Sequence, residues 1–324
     1  MNNFAPYRYL LMTTDPVHIG TGGMRLGRVD NSIVREPGTR LPKIPGTSLS
    51  GAIRQYAAYR YGKRRCAGQG QPGEGSEGHC GRPTCPICYT FGFVQGENGI
   101  RAHSGVVSIG DARLLLFPVY SLAGPVWVTS PGVLGEFEIS EPDPGEAVKL
   151  PTGLSGHTHL NLGWLLLSRA ADNFQWPDQI KEIPDEIKNR AVLVSDKLFS
   201  QIVNSNLEVR TSVSINPETG AAEEGALFTY EAIPRAAILW LDVVVDDYRG
   251  TFPATEKLCK VEEVQENGFK RKKFTDNAGE PLGKKWGTTI DLITAGLELA
   301  EHLGIGGMGT RGFGRVRLLN GKVQ

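Results

Sequence analysis

His18–Arg54 reads HIGTGGMRLGRVDNSIVREPGTRLPKIPGTSLSGAIR. Two glycine-rich turns (Gly20–Gly27) come first, followed by an acid-bearing segment (Arg28–Glu36) and then Pro42, Pro45 and Gly46 ahead of a helical pattern. Thr47 or Ser48 is placed to cap that helix, and Leu49, Ile53, Tyr56, Ala57 and Arg60 recur at helical spacing through Tyr61. Upstream, Tyr7–Thr14 (YRYLLMTT) is apolar and aromatic and reads as a strand. The order is strand, long polar loop, helix, with the loop entering the helix at its positive end. Backbone N–H groups there, with Ser48, Ser50 and Arg54, make a ready anion site.

The rest of the chain extends this start without a strict strand–helix alternation. Gly105–Pro118 and the apolar Leu160–Arg169 read as strands, and Val119–Thr129 as extended chain. Pro177–Ser200 reads as mostly helical. Glu208–Ile215 and Ala226–Ile233 flank the turn-like NPETGAAEEG and predict a protruding hairpin. Ala236–Val245 (AAILWLDVVV) is a nearly continuous apolar run, hence a strand buried on both faces. Thr288–Leu303 is an amphipathic helix with Gly304 at its C-cap, and Arg315–Leu319 closes as a strand. We expect an α+β fold in one domain, residues 1–324, with inserts at 62–104, 208–233 and 251–286.

Composition narrows the function. The 35 basic and 35 acidic residues cancel, so binding to nucleic acid must rest on local patches such as Lys43, Arg54, Arg311 and Arg315. Met1–Leu11 is no leader and no apolar run spans a bilayer, so a cytoplasmic protein without membrane contact is expected. The late run GIGGMGTRGFGR offers Gly306 and Gly307 for close backbone approach to phosphate, and Phe313 for stacking on a base. Its glycine spacing matches a dinucleotide fingerprint only in letters, because it follows a helix and leads into a strand.

Two constellations carry chemistry. Cys66, Cys80, Cys85 and Cys88, with His79 beside Cys80, have the composition of a structural zinc site. The surrounding insert has no periodic apolar positions, so a metal would supply its missing core. Free thiols grouped in a loop are the alternative, and His79 could replace Cys66 or Cys80. Asp30 sits between Arg28 and Arg35. A carboxylate near phosphate is repulsive unless it holds a divalent ion or polarises a hydroxyl. On spacing alone, an ordinary turn aspartate is the commoner outcome.

The segments HIGTGG, VDNSIVRE and LPKIPGTSLSGAIR, with GIGGMGTRGFGRV near the end, resemble the RAMP superfamily of CRISPR systems. GDARLLLFPVYSLAGPVWVTSPGVL, SDKLFSQIV and SVSINPETGAAEEGALFTYEAIP are more similar to type III-B (Cmr) than to type III-A (Csm) backbone subunits, and CPICYTFG resembles a zinc-bearing insert in some of them. The resemblance implies a ferredoxin-like, RRM-related palm with inserted fingers and a thumb hairpin at Glu208–Ile233. It implies partners: a guide crRNA, complementary target RNA, further copies of the chain and other type III effector subunits. In such assemblies base pairing reads sequence while protein reads shape.

The family's target-RNA-cleaving aspartate falls at Asp30, with His18 and Glu231 as lesser helper positions. A divalent cation (Mg2+ or Mn2+) would assist, leaving 2′,3′-cyclic phosphate and 5′-hydroxyl ends. The alternative is a non-catalytic guide-RNA scaffold of a type III-A or III-D-like complex. A monomeric RAMP nuclease that trims guide precursors ranks last, because the six histidines suggest no acid–base pair.

Overall fold

The computed structural model describes residues 4–22, 29–68, 78–82, 84–95, 101–253, 260–266, 269–275 and 287–320. Strand β1 (Phe4–Thr13) lies one strand in from the edge of the main sheet, and its Tyr9–Leu11 stretch is buried on both faces. Tyr9 and Leu11 join one core, whereas Leu10 joins a second core on the opposite face. That two-sided burial matches the apolar run Tyr9–Met12.

Helix α1 (Gly46–Arg60) follows, then strand β2 (Ala112–Val119), strand β3 (Ile238–Asp246), helix α2 (Thr289–Leu303) and strand β4 (Val316–Leu318). The spatial order β4–β1–β3–β2 is antiparallel throughout, and Val126–Thr129 and Ala191–Leu193 extend it beyond β2. α1 and α2 lie together on one face, contributing Leu49, Ile53, Ile293 and Leu297 to the larger core. They meet at Gly296, where an added Cβ would lie 2.5 Å from the Ile53 carbonyl oxygen. Trp240, Leu115, Phe174 and Ile180 fill the opposite face.

The two helices begin differently. α2 has a capping box of Thr288 and Asp291, and ends at Gly304 with φ 78°. α1 uses neither Thr47 nor Ser48: Pro45 occupies the N-cap, and Gly46 N–H donates to Asp111 Oδ1 at 2.7 Å. A carboxylate from a distant turn thus takes a donor that the sequence reading had left to a bound anion.

Other expectations divide in the structure. Leu160–Arg169 is a hairpin, His159–Leu162 with Leu165–Ser168, reversed at Gly163, whose φ is 65°. Its apolar run conceals the turn. Pro177–Ser200 holds a helix only at Asp185–Lys188 and from Asp196 to Ser205, with strand Ala191–Leu193 between them. Pro184 and Ser195 each restart the chain there. Gly105–Pro118 breaks at Gly110–Asp111 into two strands, and only Val126–Thr129 of the next stretch is a strand. The expected hairpin forms from Glu208–Ile215 with Ala222–Ala232, its second strand starting four residues before Ala226 and its register shifting between Val213 and Ile215. In the charged insert, Lys260–Glu266 pairs with Phe269–Thr275, and much of residues 254–286 lies outside the described residues.

Candidate functional site

Asp30 is sewn to the base of the long hairpin. Its Oδ2 accepts from Thr229 N–H at 2.8 Å and from the Thr229 hydroxyl at 3.0 Å. Asp30 N–H donates back to Thr229 Oγ1 at 3.0 Å. Next along, Asn31 N–H donates to Thr229 O and Glu231 N–H donates to Asn31 O, each at 3.0 Å. These partners are 199 positions apart, so the acid is no self-contained turn residue. The Thr229 amide, then its hydroxyl, holds the Asp30 carboxyl below the usual carboxylate range. Of the flanking arginines, Arg28 lies outside the described residues.

The same hairpin base gathers His18, Arg35 and the late glycine loop. His18 is buried, and its Nδ1 lies 2.6 Å from the Glu231 carbonyl. A carbonyl only accepts, so Nδ1 carries the proton and donates. Arg35 pairs with the buried Glu231 side chain at 2.6 Å. In the glycine loop, Gly307 N–H donates to His18 O at 3.0 Å, and Arg311 donates to the Tyr230 hydroxyl at 2.7 Å. Two segments nearly 300 residues apart in sequence therefore close around one hairpin.

Cys66, Cys80, Cys85 and Cys88 converge, with their sulfurs all within 4.8 Å of one another. Cys66–Cys80 is 3.4 Å, and Cys80–Cys88 and Cys66–Cys85 are each 3.8 Å. A tetrahedron with metal–sulfur bonds of about 2.3 Å has edges of roughly 3.8 Å, so four thiolates fit a metal here. His79 stands aside, its Nδ1 3.2 Å from Arg54 and its Nε2 3.2 Å from the Ala67 carbonyl. The insert does have apolar support: Ile87 and Phe93 pack with Ala57, Ala58, Leu292 and Ala295. The cysteines therefore sit against α1 and α2, correcting the expectation of an insert with nothing to bury.

A profile of the RAMP superfamily matches residues 10–317. The chain belongs to the RAMP superfamily. The CRISPR system Cmr endoribonuclease Cmr4 of Pyrococcus furiosus is 29% identical over 261 residues, 72% of this chain and 80% of that protein. The Csm3 endoribonuclease of Mycobacterium tuberculosis matches over 52 residues at 42% identity, 16% of this chain and 22% of that protein. Among solved structures, oligomeric Cmr4 from Pyrococcus furiosus has a TM-score of 0.56 at 20% identity, covering 99% of this chain and 100% of that one. A chain of the type III-B Cmr-beta complex bound to cognate target RNA reaches 0.59 at 13% identity, covering 97% of each. The structural likenesses establish a shared mixed α/β fold.

Within this RAMP chain, several basic and aromatic positions have other partners than the sequence reading gave them. Arg54 turns into the cysteine insert, donating to Cys66 O at 2.8 Å and Gly92 O at 2.9 Å. Burial lowers its pKa, and negative charge on Cys88, Cys66, Cys85 and Cys80 opposes that shift. Phe313 is 4% exposed beneath the Arg210 guanidinium, so its ring is no open stacking platform. Lys43 is paired with Asp111 at 2.5 Å and Glu36 at 3.4 Å, and Arg315 with Asp15. Arg311, Gly306, Gly307, Ser48 and Ser50 keep exposed or part-exposed positions.

Sequence reasoning missed Thr229, Tyr230 and Asp111, which orient Asp30, Arg311 and the start of α1 respectively. Strand alternation places Thr229 and Glu231 on one face of the hairpin. That was the only local signal, and nothing in it names Asp30 as the partner.

Proposed function

We propose that this chain is the backbone subunit of a type III-B CRISPR effector that binds guide crRNA and cleaves complementary target RNA at regular intervals. The extent of the Cmr4 likeness, set against the short Csm3 match, supports that subtype. The β4–β1–β3–β2 order with two helices on one face supports a ferredoxin-like palm, and the hairpin Glu208–Ile215/Ala222–Ala232 supports a thumb. Copies stack on the guide in the cytoplasm beside other effector subunits. The cysteine cluster holds a structural Zn2+ that fastens the insert to α1 and α2.

The observation that carries the cleavage reading is the fixed orientation of Asp30 by a residue of that hairpin. Oδ2 is occupied by Thr229, which leaves Oδ1 for a ligand. One carboxylate oxygen completed by substrate phosphates is a common way to hold Mg2+ or Mn2+, so the residues present fit such an ion at Asp30. A divalent ion bound there supplies neutralisation of charge on the phosphate. The target 2′-hydroxyl gives its proton to solvent water and attacks the adjacent phosphorus as the bond to the 5′-oxygen breaks. That oxygen takes a proton from water, leaving a 2′,3′-cyclic phosphate and a 5′-hydroxyl. Asp30 orients the reacting groups. His18 and Glu231 act through the base of the hairpin, and Arg311, Gly306 and Gly307 face the RNA backbone.

The test uses the assembled complex with labelled complementary RNA and Mg2+. Wild type yields an evenly spaced ladder of products, while Asp30→Ala binds guide and target and yields none. An unchanged ladder from the variant sinks Asp30 as the cutter.

A further inference from the structure

We infer that Thr229 is the positioning residue for Asp30, so that the hairpin sets the orientation of the carboxylate. The inference rests on the reading of Asp30 as the cleaving acid and adds a residue to it. A threonine hydroxyl has one proton to give and lone pairs to accept with. Asp30 N–H donates to Thr229 Oγ1 at 3.0 Å, and the hydroxyl proton goes to Asp30 Oδ2 at 3.0 Å. The Thr229 amide adds a second bond to the same oxygen at 2.8 Å. Turning the carboxylate away would break both bonds to Oδ2, so Oδ1 is held in one direction.

Among the described residues, the nearby polar side chains have other partners. The Arg35 guanidinium is committed to Glu231, Asn204 and the Ile33 carbonyl. The His18 Nδ1 proton goes to the Glu231 carbonyl. Arg311 reaches the hairpin through Tyr230, whose side chain points to the face opposite Thr229. The backbone bonds from Asn31 to Thr229 and from Glu231 to Asn31 keep the two segments in register whatever residue 229 is. The hydroxyl is therefore the separable part of the arrangement. Removing it should alter the aim of the acid while sparing the register.

The experiment compares Thr229→Val and Thr229→Ser in the full guide-loaded complex, by single-turnover cleavage at saturating target RNA and by target affinity. Valine keeps the branched shape without the hydroxyl, and serine keeps the hydroxyl. We expect Thr229→Val to slow cleavage roughly ten- to hundredfold with target Kd changed by less than about twofold, the range for a lost hydrogen bond to a charged group. Thr229→Ser should stay within about threefold of wild type. Should valine prevent assembly, Thr229→Ala beside Thr229→Ser supplies the same comparison. A valine or alanine variant that cuts at the wild-type rate overturns the inference, as does equal loss in the serine variant. Asp30→Ala is run alongside. If it still cuts, the catalytic reading has failed; if it is inactive while Thr229→Val cuts normally, only the positioning role has failed.

Discussion

Arg35 Nη2 lies 2.6 Å from Glu231 Oε1, and both side chains are largely buried. The pair joins the acid-bearing segment to the hairpin two residues beyond Thr229. The other Glu231 oxygen accepts from Ile33 N–H at 3.3 Å, and Arg35 also donates to Asn204 at 2.8 Å and to the Ile33 carbonyl at 3.0 Å. Removing one partner of such a pair leaves a buried charge uncompensated, which costs about 3 kcal/mol or more. Glu231→Ala should therefore lower the unfolding free energy, read from urea titration, by about that amount. Glu231→Gln, which retains the shape, should stay folded and keep cleaving. A folded Glu231→Gln complex as inactive as Asp30→Ala would mean that the Glu231 carboxylate takes part in the chemistry.

The acid limb of the pH–rate profile gives a second test. Hydrogen bonds from the Thr229 amide and hydroxyl favour the charged form of Asp30, so its pKa lies below the ordinary carboxylate value. A depressed pKa means that the proton returns only as pH falls through that lower value. Asp30 is therefore fully ionised across neutrality, and whatever it contributes is lost only in strong acid. Cleavage should show no loss of ionised Asp30 between about pH 5 and 8. Single-turnover rates across that range check it. An acid limb inside that range would show that a group other than Asp30 titrates in the reaction.

The late glycine loop separates glycines needed for conformation from those that are not. Gly306 has φ 92°, and an added Cβ would lie 2.4 Å from Ile19 Cδ1 and 2.5 Å from the His18 carbonyl oxygen. The side chain can yield, but that carbonyl is fixed by the bond from Gly307 N–H. Gly306→Ala should cost about 3 kcal/mol from backbone strain and overlap. At Gly309 an added Cβ would be 3.9 Å from its nearest neighbour, the Leu303 carbonyl oxygen. Gly309→Ala should thus stay within about 0.5 kcal/mol of wild type. Equal melting curves for the two variants would refute this account of the loop.

How much of this was legible beforehand follows from the range of the forces involved. The hairpin, β3 and α2 were readable because alternation, apolar runs and the Gly304 stop are local patterns. The start of α1 was not, because its cap is Asp111, some 65 positions away. Arg54 looked like a phosphate ligand at a helix start, yet the cysteine insert folds back over it and takes its donors. Phe313 looked like a stacking ring until Arg210 came to rest on it at 4.8 Å. Asp30 was singled out by resemblance and not by spacing. Its partner Thr229 becomes visible only when the sheet brings the two segments together.

The cysteine cluster yields the last test. Four buried thiols, with sulfurs 3.4 to 3.8 Å apart along three edges, form a polar knot inside an apolar wall of Ala57, Ile87 and Leu292. Hydrogen bonds from Cys85 and Cys88 hold Cys66 well below the usual thiol range, which makes it the easiest sulfur to ionise. Thiolate charge confined there calls for a cation, and the hydrogen bonds of Arg54 in the insert go to backbone carbonyls and His79. A bound Zn2+ would answer both the charge and the geometry. Elemental analysis of the purified chain should give about one zinc per molecule, falling to none in Cys85→Ser. The variant should also melt earlier, since α1 and α2 lose the insert packed against them. His79→Ala should keep its zinc, because the histidine ring bonds Arg54 and the Ala67 carbonyl instead of joining the sulfurs. A wild-type chain that is fully folded and free of metal would remove zinc from the account.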